Sequence, residues 1–421
     1  MIEAENWNII TTVLTIVGFG FSMLLWGIFL YFLFISAFGW IKRKEIAPSN
    51  FLASKRFAIL IAAHNEEKVI ASAIKSVKKV KYPTNLFDIF VIADNCNDDT
   101  AKIAKAEGVF VYERFDSELK GKGYALDWMF NNLFEMENKY DGICVLDADN
   151  LVSVNFLMEM NKHLCLGHEA IQGYIDSKNP SDTWISGNNS IAFWIGNRLI
   201  QLPRYYMGLS CILGGTGFVV SAKLIKELGW GATCLAEDLE FSLKMILKGK
   251  KVYWAHDAIV YDEKPLKIKQ SWIQRKRWMQ GHFNCAGRFL KPLFIRAITK
   301  KDVIAMDMCI YLTQPIIVAV NGIGMIGSFA YLLLTTMAKG YSLTTLMYAA
   351  ITLGFLYVSG IFVFMEGKLT SKAFKYLILM PLYNLTWVPI IIQGFIGRNK
   401  NVWTHTLHTR DIEIDDLKTN K

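Results

Sequence analysis

The sequence predicts an α/β protein whose mostly parallel sheet is embedded between transmembrane α-helices. Three observations predict it. Ile9–Phe38 contains no charged residue, and charge-free runs recur at Met308–Ala338, Gly340–Met365 and Tyr376–Gly397. A charged, mixed-polarity stretch from about Lys42 to Asp307 separates the first run from the rest. Inside that stretch, short apolar runs alternate with helical patterns, the signature of a parallel sheet.

A membrane helix needs about 20 apolar residues to cross roughly 30 Å of hydrocarbon, and each charge-free run is long enough. The alternative, a core helix of a large soluble protein, rarely sustains such a run without one charge. The first run is also longer than the roughly 7–15 apolar residues of a signal peptide, and no basic residue precedes it. Glu3 and Glu5 lie before it; Lys42, Arg43, Lys44, Lys55 and Arg56 come after it. The positive-inside bias therefore predicts an external N-terminus and a cytosolic middle segment in a multi-pass protein of the plasma membrane.

The expected organisation is an N-terminal transmembrane helix (1–41), a cytosolic domain (42–270), interfacial amphipathic helices (271–307), transmembrane or re-entrant helices (308–397) and a tail (398–421). Three crossings after the domain would put the C-terminus outside, yet Arg398, Lys400 and Arg410 make its surroundings basic. Pro381 and Pro389 interrupt the last run, which reads better as interfacial or re-entrant.

The net charge of +9, from 46 basic and 37 acidic residues, gathers beside the apolar runs and around Gln274–Arg277. That distribution suits a lipid bilayer and a phosphate site rather than nucleic acid. The seven cysteines show no paired spacing and read as reduced thiols.

Phe57–Ala63 reads as a strand, followed by a helix to about Lys79 with Val69, Ile70, Ala73, Ile74 and Val77 on one face. Asp88–Ala93 and Gly108–Tyr112 read as further strands. A helix holding Tyr124–Phe134 leads to a fourth strand, Gly142–Leu146. Ligands bind beyond the carboxyl ends of parallel strands, where His64–Glu67, Asp94–Asp99 and Asp147–Asp149 fall.

Asp147 and Asp149 flank one small residue after a buried strand, so both can face a hard cation such as Mg²⁺ or Mn²⁺ together with a ligand's phosphates. Short acidic turns are common, and the strand placement is what strengthens the assignment. Lys120–Gly123 offers cations on a glycine-bearing loop, or a solvated basic turn. Leu213–Gly217 is a glycine-rich turn before Phe218–Val220 that brings backbone close to a ligand or simply turns tightly. Glu237 and Asp238 open a helical stretch, Leu239–Leu247, where acids complement the dipole or Asp238 acts as a general base. Gln274, Arg277 and Trp278 share one helix face at i, i+3 and i+4. That face suits a sugar and a pyrophosphate, and a membrane-surface helix equally well.

Together these residues resemble the inverting family 2 glycosyltransferases that include cellulose, chitin and hyaluronan synthases, with a GT-A fold. The matching motifs are Ala63-His64-Asn65-Glu66-Glu67, Asp94, Asp147-x-Asp149, Glu237-Asp238 and Gln274-x-x-Arg277-Trp278, in family order across nearly the whole chain. The resemblance implies substrate contacts from Ala63, Asn65 and Glu66, a uracil contact from Asp94 and a nucleotide contact from Lys122. It implies a Mg²⁺ or Mn²⁺ held by Asp147 and Asp149, Asp238 as catalytic base with Glu237 beside it, and an acceptor site at Gly214, Gly215 and Thr216. Gln274, Arg277 and Trp278 would bind diphosphate and acceptor sugar. Ala236 stands where many relatives carry Thr, and Ala-Asp-Asn-Cys replaces a double aspartate.

The implied activity is processive: a UDP-sugar, best UDP-glucose, is polymerised onto a growing polysaccharide that crosses the membrane, with a homo-oligomer or an accessory export subunit as further partner. UDP-N-acetylglucosamine is the alternative donor. Single-sugar transfer to a lipid carrier or glycolipid, a silent scaffold and a transporter are the competing readings. Asn321, Asn384 and Gln393 could line a sugar path, although such residues more often bond helix to helix.

Overall fold

The computed structural model describes residues 23, 27–28, 30–40, 51–137, 139–231, 233–339, 360–361, 363–368, 370–400 and 408–419. Most of the charge-free runs 9–38 and 340–365 lies outside the described residues.

Strands β1 (Phe57–Ala63), β2 (Phe87–Asp94), β3 (Phe110–Arg114) and β4 (Gly142–Asp147) form a parallel block, β1 pairing with both β2 and β4. Residues with period 2 feed opposite faces: Ala58, Leu60, Phe90 and Val145 enter one core, Phe57, Ile59, Ile61, Val91 and Leu146 the other. Helix α1 (Ile70–Lys78) covers the second face through Ile70, Ile74 and Val77; α3 (Lys122–Glu135), which comes after α2 (Thr100–Ala106), covers the first through Leu126, Met129 and Phe130. Both faces of β1, β2 and β4 are covered, which is why these three strands are mostly apolar, whereas β3 at the edge is partly exposed. The third strand begins two residues later than the sequence predicts, because Gly108 at φ +68° is still turning the chain out of α2.

Beyond β4 the sheet is mixed, in the order β3-β2-β1-β4-β7-β6-β8-β5. Here β5 is Leu151–Val152, β6 Ala170–Ser177, β7 Phe218–Ser221 and β8 Tyr253–Asp262. β7 runs antiparallel to β4, with Gly142 opposite Ser221 and Val145 opposite Phe218. The glycine-rich turn supplies the reversal. Gly217 has φ +64°, and a Cβ there would lie 2.3 Å from Val260 Cγ1, so only glycine fits. The reversal carries Gly214–Thr216 beside the carboxyl end of β4.

Helices α4 (Phe156–Cys165), α5 (Trp184–Gly196), α6 (Leu202–Tyr206), α7 (Ala222–Leu228) and α8 (Glu237–Leu247) complete the layers. Two long helices come next, α9 (Ile268–Thr299) and α10 (Val303–Lys339). Among the described residues one helix is long and apolar enough to cross a membrane, at Val303–Val320. The last charge-free run is broken into α11 (Ser371–Ile378), α12 (Met380–Leu385) and α13 (Trp387–Ile396), with a bend of 49° after Ile378. α13 lies along α9: a Cβ on Gly394 would sit 2.3 Å from Met279 Cβ. Gln393 accepts a hydrogen bond from Trp272 Nε1 at 3.0 Å, so it bonds helix to helix.

Candidate active site

Five strand and helix ends converge. β1 ends at Ala63, and the chain turns at Asn65 with φ 55°. β2 ends at Asp94, whose Oδ1 accepts from Arg114 Nη1 at 2.6 Å with both side chains buried. The same guanidinium donates to Asp116 and to the Leu119 carbonyl, folding the loop 115–121 beside Asp94.

β4 ends at Asp147, and Asn150 organises the turn after it. Its Oδ1 accepts from the Asp147 backbone N–H at 3.1 Å and from the Thr216 hydroxyl, and its Nδ2 donates to Asp149 Oδ1 at 3.2 Å. Asp149 Oδ2 accepts the Glu263 backbone N–H at 2.8 Å. Burial alone would raise the Asp149 carboxyl, but His408 and Lys178 outweigh it and hold it below the usual carboxylate range. Lys122, first residue of α3, donates to Asp147 and, at 2.6 Å, to the Gly215 carbonyl. Burial would weaken its charge; Asp147 and Glu237 overcome that and raise its pKa.

Glu237 and Asp238 lie in the first turn of α8. Asp238 Oδ1 accepts the Leu239 N–H at 2.8 Å. Burial and the neighbouring Glu237 push Asp238 up to about 7. Glu237 is raised as well, by burial against the pull of Lys122.

Ala63, Glu66, Asp94, Lys122, Asp147, Asp149, Gly214, Gly215, Thr216, Glu237, Asp238, Gln274, Arg277 and Trp278 line one cavity of about 490 Å³. Asn65 stands outside that lining; its Oδ1 accepts the Asn97 N–H at 2.9 Å and ties the β1 and β2 turns together. Trp278 meets Phe193 edge to face, with ring centroids 6.2 Å apart.

Sequence reasoning missed His408. It reaches the cavity from the C-terminal tail, Nδ1 lying 2.9 Å from Glu66 Oε1, while Thr409 and Arg410 N–H groups bond Glu263. Burial would lower its pKa; Asp149, Glu66 and Glu263 instead raise it to about 10. Asn150 was missed too, although an amide directly after Asp149 was a signal in plain view.

Among the described residues no three His, Cys, Asp or Glu side chains are grouped to cage an ion unaided. Asp147 and Asp149 are hard oxygen donors in the lining of an acidic cavity, which fits an ion that takes one or two carboxylates and fills its remaining positions with substrate phosphates.

A model of glycosyl transferase family group 2 matches residues 142–389. The chain belongs to that family. It is a glycosyltransferase. It is 28% identical over 295 residues to a probable glycosyltransferase of Bacillus subtilis (strain 168), YdaM, covering 64% of this chain and 67% of that one. It is 27% identical over 255 residues to a β-monoglucosyldiacylglycerol synthase of Nostoc sp., covering 57% and 51%. A poly-β-1,6-N-acetyl-D-glucosamine synthase of Staphylococcus aureus (strain COL) is 26% identical over 230 residues, covering 53% of each. The chain thus spans about half the length of the last two. Among solved structures, mannosyltransferase PcManGT from Pyrobaculum calidifontis, in complex with GDP-Man and Mn²⁺, aligns with a TM-score of 0.57 at 15% identity over 86% of this chain and 96% of its own. That likeness establishes a GT-A-like α/β fold.

Proposed function

We propose that this glycosyltransferase is inverting, membrane-bound and processive, moving a hexosyl unit from a UDP-sugar to the end of a growing β-glycan. The observation that carries the reading is one cavity holding Asp238, the Asp147–Asp149 pair and the Gln274, Arg277 and Trp278 face. Asp238 removes the proton from the acceptor hydroxyl; the hydroxyl oxygen attacks the anomeric carbon as its bond to the diphosphate breaks, and the configuration inverts. Asp149 and Asp147 would hold a Mg²⁺ or Mn²⁺ that supplies Lewis-acid stabilisation of the departing diphosphate. Lys122 and Arg277 add fixed positive charge on the same side. Trp278 carries the acceptor sugar on its face, and Asp94 with the loop it anchors meets the base.

Three ion pairs support the reading that the chain leaves the catalytic unit along α10 and comes back to it. Glu366 pairs with Arg198 at 3.2 Å, returning the chain to the catalytic unit after α10, and Lys79 meets Glu413 and Asp415 at 2.8 and 3.0 Å. On this reading α11–α13 lies along the membrane surface and the tail is cytosolic.

A second reading, single transfer to a lipid, draws support from the cavity's reach to Tyr311 on the apolar α10 and from the diacylglycerol-modifying relative. Product analysis separates them. Purified protein in nanodiscs receives Mn²⁺ or Mg²⁺ and each labelled UDP-sugar in turn, UDP-glucose and UDP-N-acetylglucosamine first. Long β-linked polymer from one donor supports the processive reading and names the sugar; one sugar on lipid supports the second; no turnover with any donor refutes both. Trp278→Ala is expected to shorten the polymer and cut its yield at least tenfold.

A further inference from the structure

The fold brings together two cysteines that lie 51 residues apart in the chain. Cys234, just before α8, and Cys285, on α9, have their Sγ atoms 3.5 Å apart. Cys285 is fully buried, whereas Cys234 is partly exposed and lines the catalytic cavity.

The segment between Cys234 and the catalytic acids is short and already seated on α9. Cys234 Sγ accepts the Ala236 N–H at 3.4 Å. Ala236 rests on Gly281, where an added Cβ would stand 2.5 Å from its own. Arg288, also on α9, donates to both Thr233 and Glu240, each at 2.8 Å, and fastens the segment to the same helix. Glu237 and Asp238 come directly after it. The Sγ atoms need to approach only from 3.5 Å to the ~2.05 Å of a disulfide, and any strain falls on the residues that place Asp238.

We propose that Cys234 and Cys285 are an oxidisable dithiol that switches off transfer when a hydroperoxide enters the cavity. The Cys234 sulfur attacks one peroxide oxygen, the O–O bond breaks, and an alcohol (water, for hydrogen peroxide) leaves with a proton, giving a sulfenic acid. The Cys285 sulfur then attacks the Cys234 sulfur and expels water as the S–S bond forms. Two thiols and one hydroperoxide thus become one disulfide, one alcohol and one water. The disulfide draws the segment onto α9 and shifts Asp238 relative to Gln274, Arg277 and Trp278. A displacement of about 1 Å at a catalytic group costs on the order of a hundredfold in rate.

The test treats the full-length protein in detergent with hydrogen peroxide and maps its peptides without reduction. The expected result is a linked Cys234–Cys285 peptide, a thiol count after denaturation that falls from seven by two, and at least a tenfold loss of transfer restored by dithiothreitol. Cys285→Ala, or Cys285→Ser if the alanine variant folds poorly, is expected to give no linked peptide and to keep more than half its rate under the same treatment. Absence of the linked peptide overturns the proposal. So does a linked protein with full activity, or equal inactivation of the Cys285 variants. The linked peptide is read without any sugar donor, so its failure is distinct from failure of the proposed transfer chemistry.

Discussion

At Asp238 two acids stand side by side in a recess, and the proton balance there sets the pH dependence. Burial and Glu237 raise its pKa to about 7, and a base works only once deprotonated. The kcat/KM for transfer is therefore expected to rise with pH and level off above about 7, the acidic limb belonging to the Glu237–Asp238 pair rather than to one carboxyl. Asp238→Asn removes the proposed base without removing bulk. It should lower kcat by about 10²–10⁴-fold with little change in donor KM; unimpaired product formation would show that the base lies elsewhere. Asn150 acts through its neighbours. It fixes the backbone of Asp147, the carboxylate of Asp149 and the hydroxyl of Thr216, so Asn150→Ala is expected to weaken Mn²⁺ binding about 10–100-fold in an electron paramagnetic resonance titration, and to lower the melting temperature as well, because buried partners lose their hydrogen bonds.

Among the elements, the turn into β7 has a geometry that admits little change. Gly217→Ala meets both a left-handed backbone and Val260, and is expected to cost at least about 1–3 kcal/mol of stability. Because the same turn carries Thr216 and Gly215 to Asp147 and Lys122, kcat should fall with it. Thermal unfolding and initial rates, measured on one preparation, check both. α8 is pinned in that same first turn by Glu240. Burial would raise that carboxyl, but Arg288, Thr233 and Lys244 bring it down to about 2. A depressed pKa stabilises the fold above the ordinary glutamate range of about 4.3. That contribution is lost as pH falls toward 2; Glu240→Gln should flatten this part of the stability profile.

Across the whole molecule, buried polar joints tie the catalytic unit to the apolar helices. Arg204 on α6 meets Asp307, near the start of α10, at 2.9 and 3.0 Å with both side chains fully buried, and Tyr31 of the helical segment Leu30–Trp40 donates to Asp307 at 2.8 Å. Removing one partner leaves the other charge buried, so Asp307→Ala is expected to destabilise the protein by about 3–5 kcal/mol. Denaturant unfolding in detergent checks the size. Arg275, stacked on Tyr383 and Trp387 at 4.4 and 4.9 Å and bonded to Thr386 at 2.9 Å, makes a comparable joint between α9 and the last helices. Such joints keep the cavity and the apolar helices in one register, which a transferase working at a membrane surface would need.

The sequence by itself determined whatever depends on neighbours along the chain. Strand β1 was legible to the residue, because seven consecutive apolar residues bounded by polar ones admit little else. The carboxylates after β2 and β4 were legible because strand ends set where a parallel sheet binds ligands, and Gln274, Arg277 and Trp278 because helical spacing alone puts them on one face. The tertiary structure decided the rest. The reversal of β7, the return of His408 across 342 residues to Glu66, the meeting of Cys234 with Cys285 and the seating of α13 on α9 leave no periodic mark, and the net charge carries no record of which lysine faces which aspartate. These contacts come from packing and charge pairing between distant segments, and only the assembled core fixes their partners.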